Sequence, residues 1–217
     1  MTIPPTTGGL TGRWTKTISA WAAAHSLTWR WAAAVVLSWA SVSLFASITV
    51  PIKYPYEALG TVIDSGVIVG LTVPIAVSGV VLFEGPRELI RGSARSLFVA
   101  RVALLAGVYV TTLVAALATA VASSLPVAIV VVNSLLLVAL LAVGVSLLGV
   151  GLGWILPLVC TFVFSAPGLV PWDYNVLYQR DVSSVYLATV LTALVVGMWA
   201  YATGGSRERI IDRSVQE

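Results

Sequence analysis

The chain has 217 residues, of which 59% are hydrophobic and only 10% are charged, and its mean hydropathy is +0.99. Soluble domains carry about 25% charged residues, so this composition indicates a membrane protein and leaves no room for a soluble catalytic domain. At roughly 20 apolar residues per span, about six spans account for nearly the whole length. The net charge of +3 is therefore interpreted as a topology signal rather than as a nucleic-acid surface.

The N-terminal region predicts a helix on the membrane surface ahead of the first span. Residues 1–13 are rich in Pro, Thr and Gly, which favours disorder. Residues 14–29 are too polar to cross a bilayer, so we predict a helix that lies on the bilayer surface. The alternative is an N-terminal extension of the first span. No signal-peptide cleavage site follows the first long apolar run, so the first span is expected to be retained. The apolar and aromatic side chains recur at three- and four-residue steps: Trp14, Ile18, Trp21, His25 and Trp29.

The apolar runs then predict an all-α domain of six transmembrane helices across residues 30–203. The first three spans lie at roughly 31–50, 60–83 and 98–122. The run 127–170 is too long for one helix, and its glycines at 149, 151 and 153 divide it into a fourth and a fifth span. The sixth span is roughly 182–203, and residues 204–217 form a charged tail.

Two local features refine this arrangement. Gly66 and Gly70 in the second span would let another helix approach closely. Ser123, Ser124 and Pro126 predict a tight turn between the third and fourth spans.

Charge distribution assigns the two sides of the membrane. With six spans, one side carries both termini and ten of the twelve Lys and Arg residues, and the other side carries only Lys53 and Arg180. Positive residues collect in cytoplasmic loops, so we expect both termini in the cytoplasm of a multi-pass protein of the plasma (inner) membrane.

The charge-dense segment 84–101 lies between the second and third spans, on the predicted cytoplasmic side. Pro86 suits the first turn of a helix, and three arginines at four-residue steps would form one stripe on it. Such a helix can lie along the bilayer or bind a groove in another protein, whereas the alternative is a loop that only sets topology. The residues predicted to contact a partner are Glu84, Arg87, Glu88, Arg91 and Arg95.

Asp64 and the segment 166–182 are the candidates on the predicted outer side. A carboxylate inside a span is costly and is usually functional or paired, which makes Asp64 a candidate for a translocation path. It lies near the edge of the second span, so a solvated or capping residue is the alternative. The outer segment 166–182 predicts either an exit gate or an aromatic belt. Its gate candidates are Trp172, Asp173, Tyr174 and Asn175.

The sequence contains few residues that could carry out catalytic chemistry. Cys160 is the single cysteine, which excludes an intramolecular disulfide, and His25 is the single histidine, without a partner that would make it a general base. No phosphate-binding G-x-x-x-x-G-K-[ST] loop and no H-E-x-x-H motif occurs. We therefore expect no catalytic residue, no metal site and no cofactor bound by this chain itself.

The layout resembles the membrane subunit of type-2 ATP-binding-cassette exporters. The resemblance covers roughly residues 14–203 and is mainly one of topology; the sequence FEGPRELIRGSARSLFVAR looks like the coupling helix of that family. APGLVPWDYNVLYQRD is similar in position to the outer hairpin that precedes the last span in the family. Pro86 departs from the usual charged-glycine-threonine start of the coupling segment.

The resemblance implies a permease that works with a separate ATPase subunit, so that ATP acts only through that partner. It also implies a second copy of the chain or a related permease, surrounding membrane lipids, and no nucleic acid. The apolar spans favour a lipophilic or amphipathic cargo. The alternatives are a non-transporting anchor or assembly protein that recruits a cytoplasmic partner and an intramembrane enzyme, for which the spans offer few titratable groups.

Overall fold

The computed structural model describes residues 28–48, 65–83, 97–166, 168–171 and 174–206. Within these ranges the chain is all-helical and contains no β-strand. Two 3-10 segments, Ser43–Ser47 and Gly79–Leu82, continue the first and third helices. The helices are α1 Trp29–Val42, α2 Val67–Gly70, α3 Thr72–Ser78, α4 Phe98–Ser123, α5 Val127–Leu148, α6 Ile155–Ser165 and α7 Ser184–Gly204.

Four helical stretches are long and apolar enough to cross a membrane, and they identify the chain as a membrane protein. They occupy the positions of the predicted first, third, fourth and sixth spans. Their bounds are Trp29–Ser47, Phe98–Ser123, Val127–Leu148 and Ser184–Gly204.

Two shorter apolar helices, Val67–Leu82 and Ile155–Ser165, lie where the second and fifth spans are predicted. At about 1.5 Å per residue, the 11 residues of α6 extend over about 16 Å, roughly half of the 30 Å hydrocarbon core. That the chain has six complete spans therefore stays a prediction.

The first helix begins slightly earlier than the sequence suggests. Thr28 is its N-cap, and the Thr28 hydroxyl accepts a hydrogen bond from the backbone N–H of Trp31 at 3.3 Å. Arg30, which was expected to precede the span, consequently lies in the first turn of α1, and so does Trp29, the last residue assigned to the interfacial helix. Residues 14–27 and the tail from 207 onward lie outside the described ranges.

Glycines allow two close backbone approaches, of which the one at Gly66 was predicted and the one at Gly144 was not. A Cβ on Gly66 would lie 2.8 Å from the backbone oxygen of Phe45, so the 3-10 segment Ser43–Ser47 could not lie this close to the start of α2 with a larger residue at position 66. The run 127–170 breaks after Leu148, as predicted, and the turn before α6 folds back so tightly that a Cβ on Gly144 would lie 2.2 Å from the backbone oxygen of Gly153. The predicted turn between α4 and α5 is also present, with Ser124 in the left-handed conformation at φ 56°.

Helix α5 forms the centre of the bundle. Its residues are predominantly buried, and α3, α4, α6 and α7 pack around it. Tyr186 near the start of α7 contacts Asn133 near the start of α5, and Gly197 lies against Ala139 further along both helices. The two helices therefore run in the same direction, and the chain must return between them.

The helix ends gather at two sides of the bundle. We call one side the arginine end, because it holds Arg30 and Arg101. There the Arg101 guanidinium donates through Nη1 to the carbonyls of Ala202 and Thr203, both at 3.3 Å, and the Tyr201 hydroxyl donates to the carbonyl of Leu82 at 3.0 Å. The opposite end holds the α4–α5 turn and the linker, which we define as residues 166–183 between α6 and α7.

Candidate functional site in the buried linker

Most of the residues predicted to act lie outside the described ranges. These are the five partner-contact residues, the translocation-path candidate and half of the gate set: Glu84, Arg87, Glu88, Arg91, Arg95, Asp64, Trp172 and Asp173. The structure therefore describes only Tyr174 and Asn175 among them, and both belong to the linker.

Tyr174 and Asn175 are neighbours that face opposite environments. The side chain of Tyr174 is 71% exposed, whereas Asn175 is fully buried. The amide Nδ2 of Asn175 donates to the carbonyl of Phe164, at the end of α6, at 2.9 Å. The gate candidates thus divide between a surface-facing ring and a residue that fastens the linker to α6.

The linker continues into the interior of the bundle after Asn175. Leu177 and Tyr178 have no solvent exposure although their backbone is irregular. Irregular backbone at membrane depth is tolerated only where protein surrounds it or water lines it, because its polar groups need hydrogen-bond partners. The surrounding helices supply those partners, as the next two contacts show.

Asn133 of α5 holds the deepest part of the linker. Its Nδ2 donates to the carbonyl of Leu177 at 2.9 Å, and its Oδ1 accepts a hydrogen bond from the Tyr186 hydroxyl of α7. Asn133 is fully buried and Tyr186 is 2% exposed. One amide therefore joins α5, the linker and α7, and it pairs the buried carbonyl of Leu177.

Tyr178 fastens the same stretch to α6. Its hydroxyl forms a hydrogen bond of 2.6 Å with the hydroxyl of Ser165. Burial raises the pKa of Tyr178 above its usual value, while the hydrogen bond to Ser165 acts in the opposite direction with a smaller effect. The phenol therefore stays protonated at neutral pH, and the contact is a neutral one.

A further hydroxyl pair extends these contacts to α3. The Thr72 and Thr161 hydroxyls lie 3.0 Å apart, and both residues are buried. The Ser165 hydroxyl also donates to the carbonyl of Thr161 at 2.6 Å. The polar cluster, defined as Thr72, Asn133, Thr161, Ser165, Asn175, Tyr178 and Tyr186, thereby connects α3, α5, α6, α7 and the linker.

The sequence interpretation missed most of this cluster. Asn133 had a visible signal, because it is the only amide side chain in Val127–Leu148. A buried amide in an apolar span is costly unless it is hydrogen-bonded, so its presence indicates a partner. The hydroxyls had no such signal, since Ser and Thr in a span can bond to their own helix.

The chemistry available in the cluster is hydrogen bonding by neutral groups. Hydroxyls and amides fill it, and no group of three His, Cys, Asp or Glu residues lies together anywhere in the described ranges. The arrangement can hold or release a segment of chain and can line a path for a polar part of a ligand. No protein-family model, characterised protein or solved structure matches this chain.

Proposed function

We propose that this chain is the membrane permease subunit of an ATP-driven exporter of the type-2 ATP-binding-cassette class. It would pair with a second copy or a related permease and would move a lipophilic or amphipathic molecule across the plasma membrane. A separate cytoplasmic ATPase would supply the energy. The observation that carries the proposal is the stretch of the linker at Asn175, Leu177 and Tyr178, which is buried against α5 and α6 and held there by neutral hydrogen bonds.

The buried stretch of the linker suits a transporter because each of its contacts is weak. A hydrogen bond between side chains inside a membrane protein contributes about 0.6 kcal/mol on average and at most about 1.7 kcal/mol. Contacts of that size can be exchanged during a conformational cycle, whereas a static anchor has no need for irregular backbone in its interior. Exchange of these contacts would release the linker from α5 and α6.

The charged segment 84–101 supports the same function from the sequence. It is a short amphipathic charged stretch between two apolar regions, and the chain has no nucleotide-binding motif of its own. A helix of this kind can transmit force from a partner that hydrolyses ATP. We propose six spans with both termini cytoplasmic, so that this segment would face that partner.

Affinity purification of the tagged full chain from native membranes tests the proposal. We expect an ATPase with phosphate-binding motifs to co-purify and the purified complex to hydrolyse ATP. The double variant Arg87→Glu/Arg91→Glu should abolish co-purification, because it reverses the charge of the proposed contact. The matched control is Arg207→Glu/Arg209→Glu in the tail, which makes the same charge change and should leave the complex intact.

Two results would reject the exporter. One is a partner without ATPase activity that is lost in the Arg87→Glu/Arg91→Glu variant, which would favour an anchor or assembly protein. The other is retention of the ATPase by that variant, which would remove segment 84–101 from the interface.

A further inference from the structure

Helix α7 is fastened to its neighbours at the arginine end. The Tyr201 hydroxyl donates to the carbonyl of Leu82 at 3.0 Å, and both residues are fully buried. The Arg101 guanidinium donates to the next carbonyls of the helix, those of Ala202 and Thr203. We call these contacts the clamp. The clamp ties the last turn of α7 to α4 and to the helical stretch that ends at Leu82.

The other end of α7 holds the linker through Asn133. The Tyr186 hydroxyl donates to Oδ1 of Asn133, and Nδ2 of the same amide donates to the carbonyl of Leu177 at 2.9 Å. About 22 Å of helix separates Tyr186 from Tyr201 of the clamp. A rigid helix can carry a displacement over such a distance, provided that both of its ends make specific contacts.

The backbones of α7 and α5 come close together at Gly197. A Cβ there would lie 2.8 Å from the backbone oxygen of Ala139. Gly197 is buried, as are Tyr186 and Tyr201, and the helical repeat places all three on one face. Along the helix, Gly197 lies about 6 Å from Tyr201 and about 16 Å from Tyr186. A tilt about Gly197 would therefore move the Tyr186 end about three times as far as the clamp end.

Two apolar grooves leave α7 room for such a tilt. One, of about 530 Å³, runs along the first half of the helix, where Thr189 and Val196 line it. The other, of about 500 Å³, runs along the last part, where Leu194 and Met198 line it. At about 3.6 residues per turn, these two pairs lie on opposite flanks of the face that carries Gly197. A tilt about Gly197 would move the first half of α7 into one groove and its last turns into the other.

We infer that α7 is a lever that couples the clamp to the linker. Release of the clamp lets α7 tilt about Gly197, and the tilt moves Tyr186 away from Asn133. A shift of about 1 Å at Tyr201 corresponds to about 3 Å at Tyr186, which is enough to break a hydrogen bond. Asn133 is then no longer held in the orientation that binds the Leu177 carbonyl, so the linker is released.

The lever consists of contacts within one chain and operates whether or not the protein is an exporter. Leu82 precedes the charged segment 84–101, and Arg101 is the last residue of that segment. Movement of the segment by a partner would therefore act on the clamp, an extension that rests on the proposed function. The test uses the chain alone, so its result is independent of partner binding.

Cysteine labelling of the purified full chain tests the lever. In a Cys160→Ser background, Leu177→Cys reports release of the linker, because Leu177 is fully buried and becomes accessible to a maleimide when the linker moves. Tyr201→Phe should speed this reaction about threefold, the equilibrium effect of losing one average hydrogen bond between membrane helices. Thr203→Val is the matched control, since it removes a hydroxyl of the same turn that bonds only within α7, and it should leave the rate unchanged.

Two further measurements separate the lever from a general loosening of the bundle. Val42→Cys, at a fully buried position on α1, should react at the same rate with and without Tyr201→Phe. In Tyr186→Phe, α7 is already disconnected from Asn133, so adding Tyr201→Phe should give no further increase at Leu177→Cys.

Filling the first groove should block the tilt. Thr189→Phe adds bulk to that groove and should suppress the increase in labelling that Tyr201→Phe causes. The control is Leu187→Phe, which adds bulk on the same turn but outside the lining of both grooves, and it should leave the increase intact.

Three results would overturn the inference. An unchanged rate at Leu177→Cys in Tyr201→Phe would show that the clamp does not act on the linker. An equal increase at Val42→Cys would show that the whole bundle loosens. A full additional increase in the Tyr186→Phe background, or an increase that persists in Thr189→Phe, would show that α7 does not carry the effect.

Discussion

Helices α4 and α5 are neighbours joined by a tight turn, and both are apolar enough to span a membrane, but they occupy different environments. In α5, 67% of an apolar stretch of 18 residues is buried in the protein, against 33% of the corresponding stretch in α4. Lipid chains are as apolar as leucine, so hydrophobicity alone does not decide which helix is central. The difference lies in a few small and polar residues, namely Asn133 and Gly144 in α5, which make contacts that lipid cannot provide.

The largest expected effect is a difference in stability between a glycine substitution in α5 and one in α4. Gly144→Ala should lower the free energy of unfolding by about 3 kcal/mol, because its Cβ would meet the backbone of Gly153 at 2.2 Å and the backbone cannot move aside cheaply. Gly107→Ala in α4 is the matched control, since a Cβ there has nothing within 4 Å, and it should be neutral or slightly stabilising. Chemical unfolding of both variants in detergent measures the difference. Equal destabilisation by the two substitutions would contradict the distinction between the helices.

The next effect comes from the amide of α5. Asn133→Ala should destabilise by about 2 kcal/mol, because it leaves the Leu177 carbonyl and the Tyr186 hydroxyl without their partner. Ser134→Ala is the control, as Ser134 is equally buried but its hydroxyl bonds only to Val130 of its own helix, and we expect less than about 0.5 kcal/mol.

Release of the linker by Asn133→Ala should also be visible by cysteine labelling. In a Cys160→Ser background, Leu177→Cys should react slowly with a maleimide, because Leu177 is fully buried, and should react faster when Asn133→Ala is added. Adding Ser134→Ala should leave the slow rate unchanged. If Asn133→Ala destabilises without faster labelling, Asn133 supports the bundle but does not hold the linker.

The smallest expected effect concerns α7. Tyr186→Phe removes one hydroxyl and should cost about 1 kcal/mol, since it breaks the contact with Asn133 but leaves the aromatic ring in place. Thr189→Val, on the exposed face of the same helix, removes a hydroxyl that bonds only to Val185 and should have almost no effect. Thermal unfolding of the two variants side by side provides the measurement. A larger loss for Thr189→Val would show that the exposed face of α7 is covered by another molecule.

The apolar helices were predictable from sequence because length and hydropathy decide them directly. The bounds of α4, the turn at Ser124 and the break after Leu148 agree with the sequence prediction to within about two residues. Gly66 was also predictable as a point of close approach, although its contact, Phe45, was not. These features depend on local sequence or on the absence of a side chain, and both are visible without a fold.

The candidate site was much less predictable. Asn175 and Tyr174 were both named as gate residues, yet one is buried against α6 and the other is exposed. No periodicity distinguishes them, because the linker is irregular and the direction of each side chain depends on how the linker enters the bundle. The pairing of Thr72 with Thr161 joins residues far apart in the chain, and such contacts leave no local signal.

By itself, the sequence determined that this is a helical membrane protein and where its long apolar helices begin and end, because transfer of apolar residues into hydrocarbon dominates their free energy. Only the tertiary structure decided that α5 is central, that α7 runs parallel to it, and that Asn175, Leu177 and Tyr178 of the linker are buried against α5 and α6. In an apolar chain every face suits lipid, so the arrangement depends on close packing at glycines and on hydrogen bonds between distant residues. Those interactions exist only once the helices have met.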